Sequence, residues 1–159
     1  MFNVGCAAKS VPLHGPISEG IHIHIHASAD LNSFKNRPHT VILNLFQMTG
    51  AEKFRQAIGN NSNIGDMISA KAFKDDVLST YSHVIQPGES GKLVLDIVEN
   101  AKVLAVVAGY FNILETNKIY RLYSLRLLTE PTEFWQPKNS PHILIDLMLS
   151  DDGLGGVRL

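Results

Sequence analysis

The sequence predicts an all-β protein, an antiparallel β-sandwich of seven or eight strands with a short helical insert. Short strand-like stretches recur at intervals of roughly 10 to 20 residues, and no helix alternates with them as a parallel βαβ fold would require. The length of 159 residues matches one domain that can bury a core. We therefore expect a tether at residues 1–20 and a single sandwich domain at residues 21–159.

The first strand is predicted from a strict alternation of side chains. Isoleucine alternates with histidine from Ile21 to His26, which gives a strand one buried face and one polar face. The next strand, residues 40–48, carries apolar residues on both faces near its middle, which indicates burial on both sides. Further strands are expected at residues 78–85, 92–98, 103–111, 119–127 and 142–149, with a short one near Val157.

A helical insert is predicted at about residues 51–73. Apolar residues recur at helical spacing over residues 51–58, with Thr49 as the N-cap and Gly59 as the C-terminal stop. A weaker helical pattern covers residues 64–73. The insert is expected to be small because turn-forming residues separate its two halves.

Charge and hydropathy argue against several classes of function. Lys plus Arg number 14 and Asp plus Glu 15, so the net charge is −1 and no basic field would hold a nucleic-acid backbone. The longest uncharged apolar run, residues 103–111, is much shorter than the ~20 residues that a transmembrane helix needs. Cys6 is the only cysteine, so neither an intramolecular disulfide nor an all-cysteine metal site can form.

Three histidines on one face of the first strand are the candidate metal ligands. His22, His24 and His26 stand about 6.6 to 6.8 Å apart along the strand, so two imidazoles could share a zinc ion. The sequence supplies no carboxylate at a set spacing as a further ligand, and the polar face of a half-buried strand explains the same histidines without a metal.

The sequence offers no catalytic residues. The motifs G-x-S-x-G and H-E-x-x-H are absent, and no nucleophile is paired with an oriented base. We therefore expect neither enzymatic activity, nor a cofactor, nor a small-molecule substrate.

The connection between the first two strands, residues 29–39, is longer than a hairpin needs and is a candidate binding loop. Phe34 is not part of an alternating apolar pattern that would place it in the core, and it is followed by Lys35, Asn36 and Arg37. Asn32 is alternatively a local turn former whose side chain bonds to backbone amides. A second loop carries Phe134-Trp135, which either anchors a partner or caps the open end of the sandwich.

Several segments, taken in order, match the pattern of one protein family. They are Ala27-Ser28-Ala29-Asp30-Leu31-Asn32, Arg37-Pro38, the hydrophobic strand at residues 41–48, Phe54 with Ala57, the turn at residues 85–90 and the small-residue strand at residues 103–111. Together they resemble the outer-membrane lipoprotein of the bacterial type VI secretion system, called TssJ or SciN. The resemblance covers roughly residues 6–127.

The resemblance implies a transthyretin-like sandwich on the periplasmic face of the outer membrane, anchored by acyl chains on Cys6. Gly5 precedes Cys6, as a small residue precedes the lipidated cysteine of a lipoprotein signal, but only five residues come before it. Since a signal peptide needs a charged region and a longer apolar region, we expect either that the chain was cut within its signal for expression or that Cys6 is an ordinary thiol.

The resemblance also implies a partner. In the family, the loop between the first two strands binds the periplasmic C-terminal region of the inner-membrane protein TssM, and that loop maps onto residues 29–39 here. The expected contact residues are Asn32, Ser33, Phe34, Lys35, Asn36 and Arg37. The alternative hypothesis is a periplasmic sandwich that binds a small ligand or metal through the histidine strand.

Overall fold

Two four-stranded sheets face each other in the computed structural model, which describes residues 16–60, 64–111, 118–125 and 142–158. The strands are β1 Ile17–Ala27, β2 Val41–Met48, β3 Val77–Ile85, β4 Ser90–Ile97, β5 Val103–Gly109, β6 Tyr120–Ser124, β7 Ile143–Leu149 and β8 Leu154–Arg158. Helices α1 Glu52–Gly59 and α2 Ile64–Ile68 and a 3₁₀ turn Lys74–Asp76 separate β2 from β3. The predicted all-β sandwich with a helical insert is confirmed.

One pair of neighbouring strands is parallel, so the sandwich is not purely antiparallel. The first sheet has the order β4-β1-β7-β8 and the second has β3-β2-β5-β6. All neighbours are antiparallel except β1 and β7, which run in the same direction from Ile21 beside Ile143 to Ala27 beside Leu149. A parallel pair needs a crossover connection, and here the chain between β1 and β7, which carries the whole second sheet and β4, supplies it.

The alternation predicted for the first strand places its isoleucines in the core. Ile21, Ile23 and Ile25 are fully buried between the sheets, where Leu43 and Leu45 of β2 belong to the same apolar cluster. Burying each such side chain contributes roughly 1.5 to 3 kcal/mol. The strand begins at Ile17, four residues earlier than predicted, with an irregularity in its pairing between Ile17 and Ile21.

Strand β2 is buried on both faces, as its apolar pattern predicts. Its other face carries Phe46 and Met48, which are covered by the helical insert. Phe73 packs edge-to-face on Phe46 at 5.4 Å and on Phe54 at 4.8 Å between ring centroids. These aromatic contacts attach the insert to the sheet.

The ends of the two helices differ from the prediction. Thr49 is not the N-cap: Ala51 holds that position without a side-chain bond, while the Thr49 N–H donates to the carbonyl of Asp76. Helix α2 ends at Ile68 instead of continuing to residue 73. Ala70 has φ +59°, in the left-handed region, so the chain leaves the helical path there.

Most remaining boundaries agree with the sequence to within a few residues. β5 ends at Gly109, two residues before the predicted end, and β8 forms the short strand expected near Val157. The second half of the strand predicted at residues 119–127 extends past residue 125, outside the described residues. No helix in the described ranges is long and apolar enough to cross a bilayer.

Candidate protein-binding site

The β1–β2 loop, residues 28–40, forms a small hairpin of its own at one end of the sandwich. The N–H of Phe34 donates to the carbonyl of Arg37 at 2.9 Å, and the N–H of Arg37 donates back at 3.1 Å. The two residues between them, Lys35 and Asn36, have φ of +51° and +58°. Positive φ at both central positions is the geometry of a type I′ turn, which projects these two residues away from the domain.

A buried asparagine fixes this loop to the rest of the fold. The Asn32 side chain is 2% exposed; its Nδ2 donates to the carbonyl of Thr40 at 2.8 Å, and its Oδ1 accepts from the N–H of Phe111 at 2.8 Å. The expected contact role of Asn32 is therefore corrected: its side chain is enclosed by backbone and positions the loop.

Backbone bonds add further attachments on the side of β7. The N–H groups of Asn32 and Ser33 donate to the carbonyls of Ser150 and Asp151, and the N–H of Ser28 donates to the carbonyl of Leu149. Leu31 is fully buried beneath the loop. The loop is thus held by the segment that follows β5 and by the end of β7, and it presents a preorganised surface.

Three rings form an exposed aromatic patch, which we define as Phe34, His39 and Phe111. Phe34 stacks on Phe111 with ring centroids 5.8 Å apart, and His39 meets Phe111 edge-on at 4.9 Å. Phe34 is nevertheless 45% exposed and Phe111 63% exposed. Large aromatic side chains that keep this much surface in water are the residue type enriched in protein interfaces.

Apolar surface continues from the aromatic patch along the outer face of the second sheet. Ile42 and Val84 are direct cross-strand partners, and both are about half exposed. Ile42 also pairs with Gly109, two residues before Phe111. The exposed apolar residues of the loop and of the sheet therefore adjoin each other.

Two cations border the aromatic patch. The Lys35 Nζ lies 5.4 Å from the centre of the Phe34 ring, within the range of a cation–π contact. Neither Lys35 nor Arg37 forms a salt bridge with a carboxylate of the described residues.

Asp152 of the neighbouring β7–β8 turn is bonded by side chains inside and outside the turn. Lys118 bonds to Asp152 at 2.8 Å, which lowers the pKa of that carboxyl, and Ser150 adds a second bond. Beneath them, the Tyr110 hydroxyl donates to the carbonyl of Gly153 at 2.8 Å, and burial raises its pKa. This arrangement braces the end of the sandwich under the loop and supplies no nucleophile.

Comparison with known proteins assigns the family. Residues 19–143 match the family model of the type VI secretion lipoproteins, described as including VasD, EvfM and TssJ. The chain belongs to this lipoprotein family. The family consists of structural components of the secretion system and is not an enzyme family. No curated protein sequence matches the chain.

Solved structures with the same fold come from the same secretion system. The lipoprotein TssJ1 of Pseudomonas aeruginosa superposes with a TM-score of 0.63 at 17% identity, over 91% of this chain and 96% of that one. Lip of Serratia marcescens, described as a membrane-bound component of the system, gives a TM-score of 0.68 at 19% identity, over 86% and 96% of the two chains. A chain of the structure described as the TssM C-terminal domain from EAEC gives 0.62 at 16% identity, over 87% and 98%.

The side chains of His22, His24 and His26 lie beside different neighbours in the described structure. His22 stacks on His142 with ring centroids 4.2 Å apart, and His24 Nδ1 lies 3.2 Å from Asp146 Oδ1, while His26 points to solvent. No group of three or more metal-ligating side chains comes together in the parts of the chain that the structure describes. Burial, Lys92 and His142 lower the pKa of His22.

Of the remaining residues predicted for the binding site, some lie in the β1–β2 loop and others lie outside the described residues. Ser33, Phe34, Lys35, Asn36 and Arg37 all lie on the outer part of the β1–β2 loop, as expected. Phe111 is the member of the aromatic patch that the sequence analysis did not predict. The sequence marks it only by its position, as an aromatic residue at the end of a strand of small residues. Cys6 and the loop with Phe134 and Trp135 lie outside the described residues.

Proposed function

We propose that this chain is an outer-membrane lipoprotein of the type VI secretion membrane complex that binds the periplasmic C-terminal domain of TssM through the β1–β2 loop. The observation that carries the proposal is the stacked and exposed pair Phe34 and Phe111, held in place by Asn32. Solved structures described as the TssM C-terminal domain and as a type VI membrane complex each contain a chain of this fold, which supports TssM as the partner.

The proposed contact uses the outer loop residues and the aromatic patch. Ser33, Phe34, Lys35, Asn36 and Arg37 would meet the partner, with Phe111 completing the apolar centre. The positive charges of Lys35 and Arg37 favour a partner surface with carboxylates around an apolar centre. Since the loop is already ordered by its bonds to the domain, little conformational entropy is lost on association.

The proposed anchor is an acylated Cys6. Each buried acyl CH₂ contributes about 0.8 kcal/mol, so several chains on one cysteine hold a domain firmly at the membrane. Ala7 follows Cys6, in place of the aspartate that commonly retains lipoproteins in the inner membrane. Because residues 17–20 belong to β1, the tether between anchor and domain comprises residues 7–16.

Calorimetry with the purified TssM periplasmic domain tests the partner assignment. The double variant Phe34→Ala, Phe111→Ala should bind at least about tenfold more weakly, because interface aromatics carry much of the binding energy. Met148→Ala is the matched control: Met148 is 62% exposed but lies on β7 of the other sheet. Unchanged affinity of the double variant, or equal loss in the control, would refute the loop assignment.

Palmitate labelling tests the anchor. The protein expressed from its natural gene in a bacterial host should incorporate labelled palmitate and fractionate with the outer membrane. Cys6→Ser should abolish both. Label that persists in Cys6→Ser, or its absence from the wild type, would overturn the anchor.

A further inference from the structure

The two sheets leave a lateral cleft between the edge strands β3 and β4. It encloses a cavity of about 240 Å³ that opens to solvent and is lined by Ser79, Thr80 and Tyr81 of β3 and by Asp96 and Val98 at the end of β4. On the opposite side of the sandwich the edge strands β6 and β8 contact each other. The sandwich is therefore closed on one side and open on the other.

The strand that borders the lateral cleft has an unprotected edge. β3 is nine residues long and contains no charged residue and no proline, the usual means by which proteins blunt an exposed edge. Within the described ranges β3 hydrogen-bonds to β2 alone, so its outer row of backbone N–H and C=O groups is open to a further strand. An extended segment could pair with this edge and fill the cavity with its side chains.

The N-terminal segment enters the domain beside this cleft. Ile17, the first residue of β1, pairs with Ile97 at the end of β4, and the N–H of Glu19 donates to Asp96 Oδ1 at 2.7 Å. Asp96 and Val98 line the cleft. With Leu13 in the cleft, residues 14–16 connect it to β1, and three extended residues span up to about 10 Å.

Direction and sequence of the segment both suit the edge of β3. A segment that runs through the cleft toward residue 16 follows the direction of β4 and is therefore antiparallel to β3. Val11 and Leu13 alternate around Pro12, so both apolar side chains would face the same side. Proline is tolerated in an edge strand where its missing N–H faces solvent. Lys9 is the only Lys, Arg, Asp or Glu in residues 7–15.

We propose that residues 9–14 of this chain dock as an additional strand on the edge of β3, with Val11 and Leu13 in the lateral cleft. The contact itself is independent of lipid and of partner. Its consequence rests on the proposed function: docking shortens the tether and holds the domain near its anchor, and release lets the domain extend into the periplasm.

Hydrogen exchange on the full 159-residue chain, without lipid or TssM, tests the contact. The amides to compare are those among Ser79, Thr80, Tyr81 and Ser82 whose N–H groups point away from β2. In the double variant Val11→Asp, Leu13→Asp they should exchange about tenfold faster than in the wild type, because the charged side chains cannot enter the cleft. Ala8→Asp, which adds a carboxylate to the same N-terminal segment just outside residues 9–14, should leave these rates unchanged.

A crosslink gives a second measurement that does not depend on exchange rates. In a Cys6→Ser background, Leu13→Cys with Ser79→Cys should form a disulfide under mild oxidation, whereas Leu13→Cys with Met148→Cys should not. Equal exchange in wild type and aspartate variant, or equal crosslinking of both pairs, would overturn the proposal. Protection of β3 that grows with protein concentration would instead assign the edge to a second copy of the chain and also overturn it. None of these results depends on lipidation or TssM binding.

Discussion

Asn32 and Phe111 are joined by a hydrogen bond of 2.8 Å from the Phe111 N–H to the Asn32 Oδ1. This bond ties the β1–β2 loop to the chain that leaves β5, and it sets the two ring systems of the aromatic patch side by side. A buried side chain thus determines the shape of an exposed surface.

Replacing Asn32 should destabilise the whole domain. Asn32→Ala leaves the Phe111 N–H and the Thr40 carbonyl without their bonds and keeps a positive φ of +49°, so we expect a loss of about 2 to 4 kcal/mol in urea unfolding. Asn100→Ala is the control, because Asn100 also has positive φ, +64°, but is exposed. Equal losses would mean that backbone strain, and not the buried amide, is responsible.

Gln47 should stabilise the contact between the two sheets. Its side chain is 5% exposed and bridges from β2 to the end of β4, where Nε2 donates to the Asp96 carbonyl and Oε1 accepts from the Val98 N–H. Gln47→Met keeps the size and leaves two backbone groups unpaired, so the free energy of unfolding should fall by about 1 to 3 kcal/mol. Gln56→Met on the exposed face of α1 should change it by less than about 0.5 kcal/mol.

Replacing Lys35 with glycine should stabilise the turn of the β1–β2 loop. An L-residue in the left-handed region is strained, and glycine is not, so Lys35→Gly should raise the free energy of unfolding by about 0.5 to 1 kcal/mol. Lys35→Ala removes the same charge but keeps the strain, and it should give no such gain. A destabilised glycine variant in chemical denaturation would show that the cation over the Phe34 ring contributes more than the strain costs.

His22 should make stability depend on pH. Its folded-state pKa is lowered from 6.5, first by desolvation and then by Lys92 and His142. The unfolded chain therefore binds a proton more readily, and the contribution of His22 to stability, complete above pH 6.5, is lost as pH falls below that value. The unfolding midpoint should drop less steeply between pH 7 and pH 5 in His22→Gln than in the wild type.

The control for this pH effect is His26→Gln, which removes a histidine from the same strand without disturbing the stacked ring pair. It should keep the pH dependence of the wild type. If the unfolding midpoints of His22→Gln and the wild type fall equally as the pH is lowered, the stacked pair is not the source of the pH dependence.

Much of the fold could be predicted from the sequence because its periodicity is local. The alternation of Ile21, Ile23 and Ile25 identifies a half-buried strand without knowledge of its neighbours, and the doubly apolar β2 signals burial on both faces. The parallel pairing of β1 with β7 could not be predicted, since it depends on residues far apart in the chain.

The binding site could be predicted only in outline. Loop length and an unpatterned Phe34 indicate the β1–β2 loop, but polarity alone does not distinguish the buried Asn32 from the exposed Asn36. The stack with Phe111 and the bridge made by Gln47 are long-range contacts that leave no mark in local spacing. The cleft between β3 and β4 likewise arises from which strands lie at the sheet edges.

The position of β1 between β4 and β7 has a consequence for how the protein is made. β1 stays without one of its two neighbours until residues 143–149 have been synthesised. Such non-local pairing slows folding and exposes unpaired strands in the meantime. The first sheet can therefore close only after β7 has emerged, and any truncation before β7 should leave that sheet open along β1.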